Sequence, residues 1–192
     1  MPAVAEPEPL PSYFPPGTLR RVLVGGLVGA LALGGLATAV LLKQRSSRSL
    51  AQDLTSGSCT TDTRSDAVRS ARHVKDPVYR VDPPAGGSHT LEVAKAGTYA
   101  GAAVPPDGQL VHALEHGYVV LWHRPGVGLA DLERVRRRHP EDVIVAERAS
   151  LPEPVAATAW KSRLLCQQVE PLALERFTEA RIGQGPEDLP RG

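Results

Sequence analysis

The amino-acid sequence predicts an α/β (α+β) fold: a small mixed sheet with helices packed on it, rich in loops and preceded by one transmembrane helix. Three observations predict it. Residues 22–42 form one uncharged apolar run. The second half of the chain alternates strand-like and helix-like segments, a pattern that favours helices packed against a sheet. Eighteen prolines and eighteen glycines divide these segments by many loops.

The apolar run, "VLVGGLVGALALGGLATAVLL", predicts a membrane anchor. A helix of this length covers roughly 30 Å, the thickness of the bilayer hydrocarbon. A cleaved signal peptide has a shorter apolar core and a small-residue cleavage site, whereas Lys43, Arg45 and Arg48 follow this run. We therefore expect a single-pass anchor that is not cleaved. Residues 1–21, rich in proline, are expected to form a disordered cytoplasmic tail, and residues 43–58 a flexible polar stalk.

The two cysteines, Cys59 and Cys166, stand at the two ends of the predicted globular domain, residues 59–187, which a short tail of residues 188–192 follows. One disulfide in an oxidising compartment would suit this placement, although two unpaired core cysteines would also fit. A bridge closing so long a loop would stabilise the fold by about 4–5 kcal/mol in the chain-entropy model. Because the basic residues on the two sides of the anchor nearly balance, the cysteines favour an extracytoplasmic domain at the cell membrane.

The globular domain is predicted to consist of short helices and strands joined by loops. "TRSDAVRSARHV" predicts one or two helical turns, and the segments around "DPPAGGSH" and "VPPDG" predict loops. "YVVLWHR", "EDVIVAER" and "PVAATAWKSRLLC" each predict one strand. "GLADLERVRRRHP" predicts a helix ended by Pro140, with Leu129, Leu132 and Val135 at helical spacing. "EPLALERFTEARIG" predicts a final helix whose apolar side is Leu172, Leu174, Phe177 and Ile182.

The histidines are the candidate functional residues. In "LVHALEHGYVV", His112 and His116 would share one face of a helical turn that Gly117 ends. His89 ends the rigid loop "DPPAGGSH", and could meet that face. Three neutral imidazoles would leave an open position on zinc, or supply a nitrogen set for copper, with His73 as a fourth ligand. The alternative is that these histidines hydrogen-bond to loop carbonyls and lock the loop onto the sheet.

Glu115 is predicted to act from outside the ligand set. "HALEH" differs from the H-E-x-x-H pattern of zinc proteases, because the glutamate precedes the second histidine. Its side chain is expected to point about 100° away from the metal-binding face of the helix, where it could orient a neighbouring histidine or cap a backbone group. Of the two remaining histidines, His139 is expected at a solvated helix end and His123 at a strand end, opposite in direction to Trp122.

Composition argues against several functional classes. A net charge of +1 gives no basic surface for nucleic acid. There is no C-x-x-C pair for a thioredoxin-like redox centre. Ser88 lies beside His89 but lacks the G-x-S-x-G turn of a hydrolase nucleophile, so an enzyme is not favoured.

The blocks "HVKDPVYRVDPPAGGSH", "VHALEHGYVVLWHRP", "VAATAW" and "GQGPE" resemble domain-of-unknown-function family 3105. The resemblance implies a bacterial envelope protein with one N-terminal membrane helix and its domain outside. The matching positions are His73, Pro83, Pro84, His89, His112, Glu115, His116, Gly117 and Trp160. The chain departs from the family pattern at residues 85–88, and at Tyr118 and Lys161, where glycine is usual.

Two functions are compatible with these features. The first is a histidine-rich module of the cell envelope that binds copper or zinc through His73, His89, His112 and His116. The second is a structural or protein-interaction module with a partner in the envelope, in which the histidines are loop-locking core residues.

Overall fold

A computed structural model describes residues 57–63 and 72–187 of the 192-residue chain. The predicted tail, anchor, stalk and C-terminal tail lie outside the described residues, apart from residues 57–58 of the stalk, as does most of the helix predicted at residues 63–74. Among the described residues, no helix is both long and apolar enough to cross a bilayer.

The described chain forms six strands and three α-helices. In chain order they are β1 (Cys59–Asp62), β2 (Gly97–Tyr99), α1 (Asp107–Glu115), β3 (Val119–His123), α2 (Ala130–Arg138), β4 (Val143–Glu147), β5 (Val155–Ala159), β6 (Ser162–Cys166) and α3 (Pro171–Arg181). The strands form one sheet in the order β1-β6-β5-β3-β4-β2. β4 pairs in parallel with β2 and β3, and the other pairs are antiparallel. The predicted mixed sheet with helices packed on it is confirmed.

Both faces of the sheet are covered. Because strand side chains alternate, Val119 and Leu121 of β3 join the core beneath α2 and α3, which includes Leu132 and Phe177. Trp122 points the opposite way, into the core beneath α1. Every residue of β3 and β5 is buried, as expected for central strands covered on both faces. This arrangement fixes α1, which carries the "HALEH" sequence, against the middle of the sheet.

Two predictions about these elements are wrong in detail. "PVAATAWKSRLLC" is not one strand, because β5 and β6 fold into a hairpin with Ala159 opposite Ser162. The turn depends on Lys161, which takes a φ of 57° and donates its backbone N–H to the carbonyl of Ala85. In α3, Leu172 is exposed instead of forming part of the apolar side. It lies in the first turn, and the adjacent Ala173 faces the core in its place.

The predicted disulfide is confirmed. Cys59 in β1 and Cys166 in β6 are directly opposite in register and joined by a bond across 107 residues of sequence. Both cysteines are buried in the core beneath α2 and α3. The bridge therefore attaches the edge strand β1 to the rest of the sheet.

Candidate metal centre

Helix α1 presents His112 and Glu115 at its C-terminal end. Pro106 precedes the helix and Asp107 lies in its first turn, where a carboxylate complements the helix dipole. The apolar residues of α1 are buried against the sheet. His112 and Glu115 are buried with them, at 5% and 4% exposure. Gly117 then takes a φ of 84° and ends the helix, as the sequence predicted.

The loop of residues 82–89 carries His89 to this helix. It begins with a cis peptide bond before Pro83. Gly86 and Gly87 have φ values of 134° and 121°, a region that L side chains rarely adopt. His89 is 1% exposed, and its Nδ1 donates a hydrogen bond to the Gly87 carbonyl. The ring of Trp160 lies edge-on at 6.4 Å from the imidazole of His89.

His73, in a third segment of the chain, lies beside the rings of His89 and His112. A single isolated bridge pairs it with His89: the N–H of Val74 donates to the His89 carbonyl, and the N–H of His89 donates to the Arg72 carbonyl. The His73 ring lies 4.9 Å from the His89 ring and 4.8 Å from the His112 ring. Unlike its two neighbours, His73 is exposed.

These three histidines and Glu115 form one cluster. Each offers one donor atom, and the four atoms lie within 4.8 Å of one another. His73 Nε2 lies 3.4 Å from His112 Nε2, and His89 Nε2 lies 2.9 Å from a Glu115 carboxylate oxygen. Although that distance is short, His89 Nε2 has no hydrogen-bond partner among the residues that the structure describes. The cluster thus contains a buried ring nitrogen that lies beside a carboxylate oxygen but forms no hydrogen bond with it.

The tautomers of the two buried histidines follow from their backbone partners. A carbonyl can only accept, so Nδ1 carries the proton where it contacts one. This holds for His89 at the Gly87 carbonyl and for His112 at the Glu92 carbonyl. In the neutral rings, both Nε2 atoms therefore carry lone pairs that face the cluster. Metal-binding histidines are commonly fixed in this way, with the second nitrogen held by a carbonyl.

The surroundings of the cluster favour the neutral forms of His112 and Glu115. Burial lowers the pKa of His112, and the neighbouring rings of His89, His116 and His73 lower it further. Burial also raises the pKa of Glu115, and the charge of Glu187 adds to that rise, while the histidines oppose it. A neutral His112 can donate its lone pair at neutral pH. A buried Glu115 carboxylate needs a proton or a cation beside it.

Two arginines attach the cluster to the sheet. Arg148, directly after β4, binds Asp82 at the start of the loop and both carboxylate oxygens of Asp107 at the start of α1. Arg163 of β6 donates to the carbonyls of Asp82 and Pro83 and to the carboxylate of Asp62. Arg148 therefore joins the two segments that carry His89 and His112, and Arg163 of β6 attaches the start of the loop and Asp62 of β1 to the same strand. Sequence reasoning identified neither residue.

His116 lies beside the cluster and not in it. Its ring is 4.7 Å from that of His112, but its Nε2 is 4.0 Å from a carboxylate oxygen of Glu187. Residues 183–187, here called the C-terminal strap, cover this end of α1. The strap donates from the N–H of Gly183 to the Gly117 carbonyl and from the N–H of Glu187 to the Glu115 carbonyl.

The expectation that Glu115 points away from the histidine face is wrong. It rested on the angle between Glu115 and His116. Counted from His112, Glu115 is three residues further along, so the two share a face. The structure brings His73, His89 and His112 together, and puts Glu115 with them where sequence reasoning favoured His116. An H-x-x-E spacing is the signal that would have found it. His123 is buried at the end of β3, and His139 ends α2; neither joins the cluster.

The fold and site define a class of protein: a small mixed-sheet domain with a cluster of three histidines and one glutamate at the end of a helix. Residues 72–191 match the family described as "Protein of unknown function (DUF3105)", and the chain belongs to this family. No curated protein matches the chain, and no solved structure matches it.

Proposed function

We propose that the domain is a metal-binding module whose ion is held by His73, His89, His112 and Glu115. The observation that carries the proposal is the convergence of inward-facing lone pairs. The Nε2 atoms of His89 and His112 cannot donate in their neutral tautomers. His89 Nε2 therefore faces an oxygen of Glu115 with no proton of its own to share. A cation between these donors removes the repulsion between lone pairs and neutralises the buried carboxylate.

The distances are compatible with a small divalent ion. Four ligand atoms at about 2.0–2.1 Å from a tetrahedral zinc ion lie about 3.3–3.4 Å from one another. The separation of His73 Nε2 and His112 Nε2 is 3.4 Å, and that of His89 Nε2 and Glu115 is 2.9 Å. Since the widest pair is 4.8 Å apart, binding requires a small closing movement. His73, the exposed member, has the most freedom to make it.

The donor set favours zinc or copper(II). Three imidazole nitrogens and one carboxylate oxygen suit either ion. Copper(I) prefers sulfur ligands, and both cysteines are joined in the disulfide, while the single methionine is Met1. The residues of this chain would therefore bind a borderline divalent cation, and the Gly87 and Glu92 carbonyls would orient two of its histidine ligands by accepting from their Nδ1 atoms.

The test is the metal content of the full-length chain. The protein is produced by an export route that permits the disulfide, purified in detergent, and analysed by elemental mass spectrometry. We expect one zinc or copper ion per chain, absent after H89A/H112A double substitution. The matched control is His116→Ala, which removes a neighbouring imidazole and should retain the ion. A wild-type chain that contains neither metal as purified, and takes up neither when it is added, contradicts the proposal.

A structural role for the histidines is the second candidate, and specific hydrogen bonds favour it. Through Nδ1, His89 and His112 bind loop carbonyls, and the backbone of His89 pairs with that of the His73 segment. On this hypothesis, His112→Gln destabilises the metal-free domain by about 1–3 kcal/mol, the cost of a lost buried hydrogen bond. Chelator and added metal then leave the melting temperature of the wild type unchanged. The domain would serve a protein partner in the envelope.

We also propose that the domain lies outside the cytoplasm, tethered by residues 22–42. The buried Cys59–Cys166 bond supports an oxidising compartment, and the uncharged apolar run supports a single-pass anchor. Cysteine substitution at Ser88 or Glu141, followed by labelling of intact cells with a membrane-impermeant thiol reagent, tests the orientation. Labelling of Glu141→Cys only after cell lysis contradicts it.

A further inference from the structure

The four proposed ligands differ sharply in their access to solvent. His89, His112 and Glu115 are at most 5% exposed, whereas His73 is exposed. An ion held by this set is therefore enclosed on three sides by buried donors. Solvent and other molecules can approach it from the side of His73.

His73 is also the ligand attached least firmly. His112 and Glu115 lie in α1, and His89 lies in the loop that Arg148 and Arg163 fix to the sheet. His73 is joined to the fold by an isolated bridge to His89 and by the contact of its Nε2 with His112. It can leave a bound ion without disturbing α1 or the loop.

A cavity adjoins His73 on its exposed side. It measures about 390 Å³ and is lined by His73, Val74, Lys75, Thr90, Leu91 and Glu92. Val74 and Leu91 are among the few large apolar residues exposed on the described surface. The volume lies within the range of small-ligand pockets, roughly 300–1,000 Å³. A flat, partly apolar ring such as imidazole can therefore occupy it next to His73.

We propose, on the basis of the metal site proposed above, that His73 is the exchangeable ligand of this site. An incoming nitrogen donor of the imidazole class enters the cavity and forms a bond to the ion. The bond from the ion to His73 Nε2 then breaks, and His73 leaves as a neutral ring. The oxidation state of the ion does not change and no proton is consumed. The site accordingly receives and releases its metal on the His73 side, while the three buried ligands keep it from other donors.

The experiment compares the same substitution at an exposed and a buried ligand. Full-length wild type, His73→Ala and His112→Ala are titrated with Co²⁺, and binding is followed by the visible ligand-field absorption of the bound ion. We expect His73→Ala to bind Co²⁺ with a dissociation constant raised by at least about 10-fold. Loss of a residue that only orients a ligand already lowers metal affinity by about that factor, and loss of a ligand should cost no less. Added imidazole should restore the wild-type spectrum and most of the affinity of His73→Ala. It should not rescue His112→Ala, whose ligand position is buried.

A kinetic measurement supplies a second readout in the unaltered chain. Removal of Co²⁺ from the wild type by excess chelator should accelerate in proportion to the concentration of free imidazole, since the incoming ring displaces His73. Circular dichroism confirms that each variant is folded.

The outcomes separate this inference from the function on which it rests. A wild type that binds no Co²⁺, zinc or copper overturns both. A wild type that binds metal overturns the inference alone in three cases: if His73→Ala binds equally well, if imidazole fails to rescue it, or if imidazole leaves the rate of removal unchanged.

Discussion

His112 lies in a nine-residue helix with seven buried residues, whereas His73 is exposed and its backbone pairs with the fold through an isolated bridge to His89. The two Nε2 atoms are nonetheless 3.4 Å apart. The cluster therefore has a buried side, formed by His89, His112 and Glu115, and an exposed side, formed by His73. Each side depends on different interactions.

On the proposed function, this difference would allow a small domain to hold an ion firmly and still exchange it. Ligands that are fixed before binding lose little conformational freedom when the ion arrives, which favours affinity. A ligand with freedom to move gives a route for exchange. If this division is correct, substitutions that release the buried side should lower both stability and metal binding. Substitution of His73 should change metal binding alone.

The largest effect is expected from Arg163→Met, which keeps most of the apolar volume and removes the charge. Arg163 is 3% exposed and holds the carboxylate of Asp62 and two carbonyls of the loop. Removing one partner of a buried ion pair costs about 3–5 kcal/mol. Urea unfolding of the metal-free chain measures this loss. A change below about 1 kcal/mol, within the usual range for an exposed ion pair, would mean that the loop is held by other contacts.

The next effect concerns the C-terminal strap. A Cβ at Gly185 would lie 2.0 Å from the Glu115 carbonyl oxygen and 2.5 Å from the Gly117 nitrogen, both backbone atoms that cannot move easily. Gly185→Ala should therefore displace the strap and cost about 1–3 kcal/mol, as overpacking does. Gly128→Ala is the matched control, because a Cβ there meets nothing within 4 Å. Equal melting temperatures for the two variants would show that the strap does not pack on α1 as described.

A smaller loss of stability, with a larger effect on binding, is expected from Arg148→Gln. Its ion pairs with Asp82 and Asp107 are partly exposed, so the cost is about 1–2 kcal/mol, at the low end for charged hydrogen bonds. Metal affinity should fall about 10- to 100-fold, as for other outer-shell partners. Arg124→Gln is the control, because Arg124 donates its side-chain hydrogen bonds to the Leu151 and Pro152 carbonyls, which lie outside the segments that carry the proposed ligands. Equal metal dissociation constants for the two variants would contradict the positioning role.

Local sequence patterns predicted the elements that depend on neighbouring residues. The periodicity of β3, α2 and β4 and the glycine that ends α1 follow from side-chain alternation and turn chemistry. The hairpin at Lys161 was missed because Lys161 gives no turn signal, and its φ of 57° accompanies a backbone bond to Ala85, 76 positions earlier. A pattern of neighbours cannot reveal a partner so far away in the sequence.

The candidate site was predictable only where it depends on residues that are close together in the sequence. His112 was found from helical spacing, and His89 from the stiffness of its loop. Arg148 and Arg163 were not found, because each looks like an ordinary charged residue at a strand until the loop and helix it binds are in place. The predicted direction of the Glu115 side chain is wrong because it was measured around the helix from His116 instead of from His112. His116 instead lies beside the C-terminal strap, with its Nε2 4.0 Å from a carboxylate oxygen of Glu187.

The smallest change of stability, and one of opposite sign, is expected from Glu115→Gln in the metal-free chain. Burial raises the folded-state pKa of Glu115 above its ordinary value of 4.5. Its contribution to stability is therefore fully present below pH 4.5 and is lost as the pH rises through the folded-state pKa, so the ionised group costs stability at neutral pH. The uncharged glutamine avoids this cost, and should unfold at higher urea concentration than the wild type at pH 7 but not at pH 4.

The same variant should bind metal more weakly, because the amide supplies no charge to the ion. Glu141→Gln, an exposed glutamate elsewhere on the surface, controls for the loss of one negative charge and should change neither property. If Glu115→Gln stabilises the metal-free chain and also weakens metal binding, the buried carboxylate serves the ion and lowers the stability of the metal-free fold. If Glu115→Gln instead destabilised the metal-free chain at pH 7, the carboxylate would belong to a structural network with His89. A structural role for the histidines would then be the better account of the buried side.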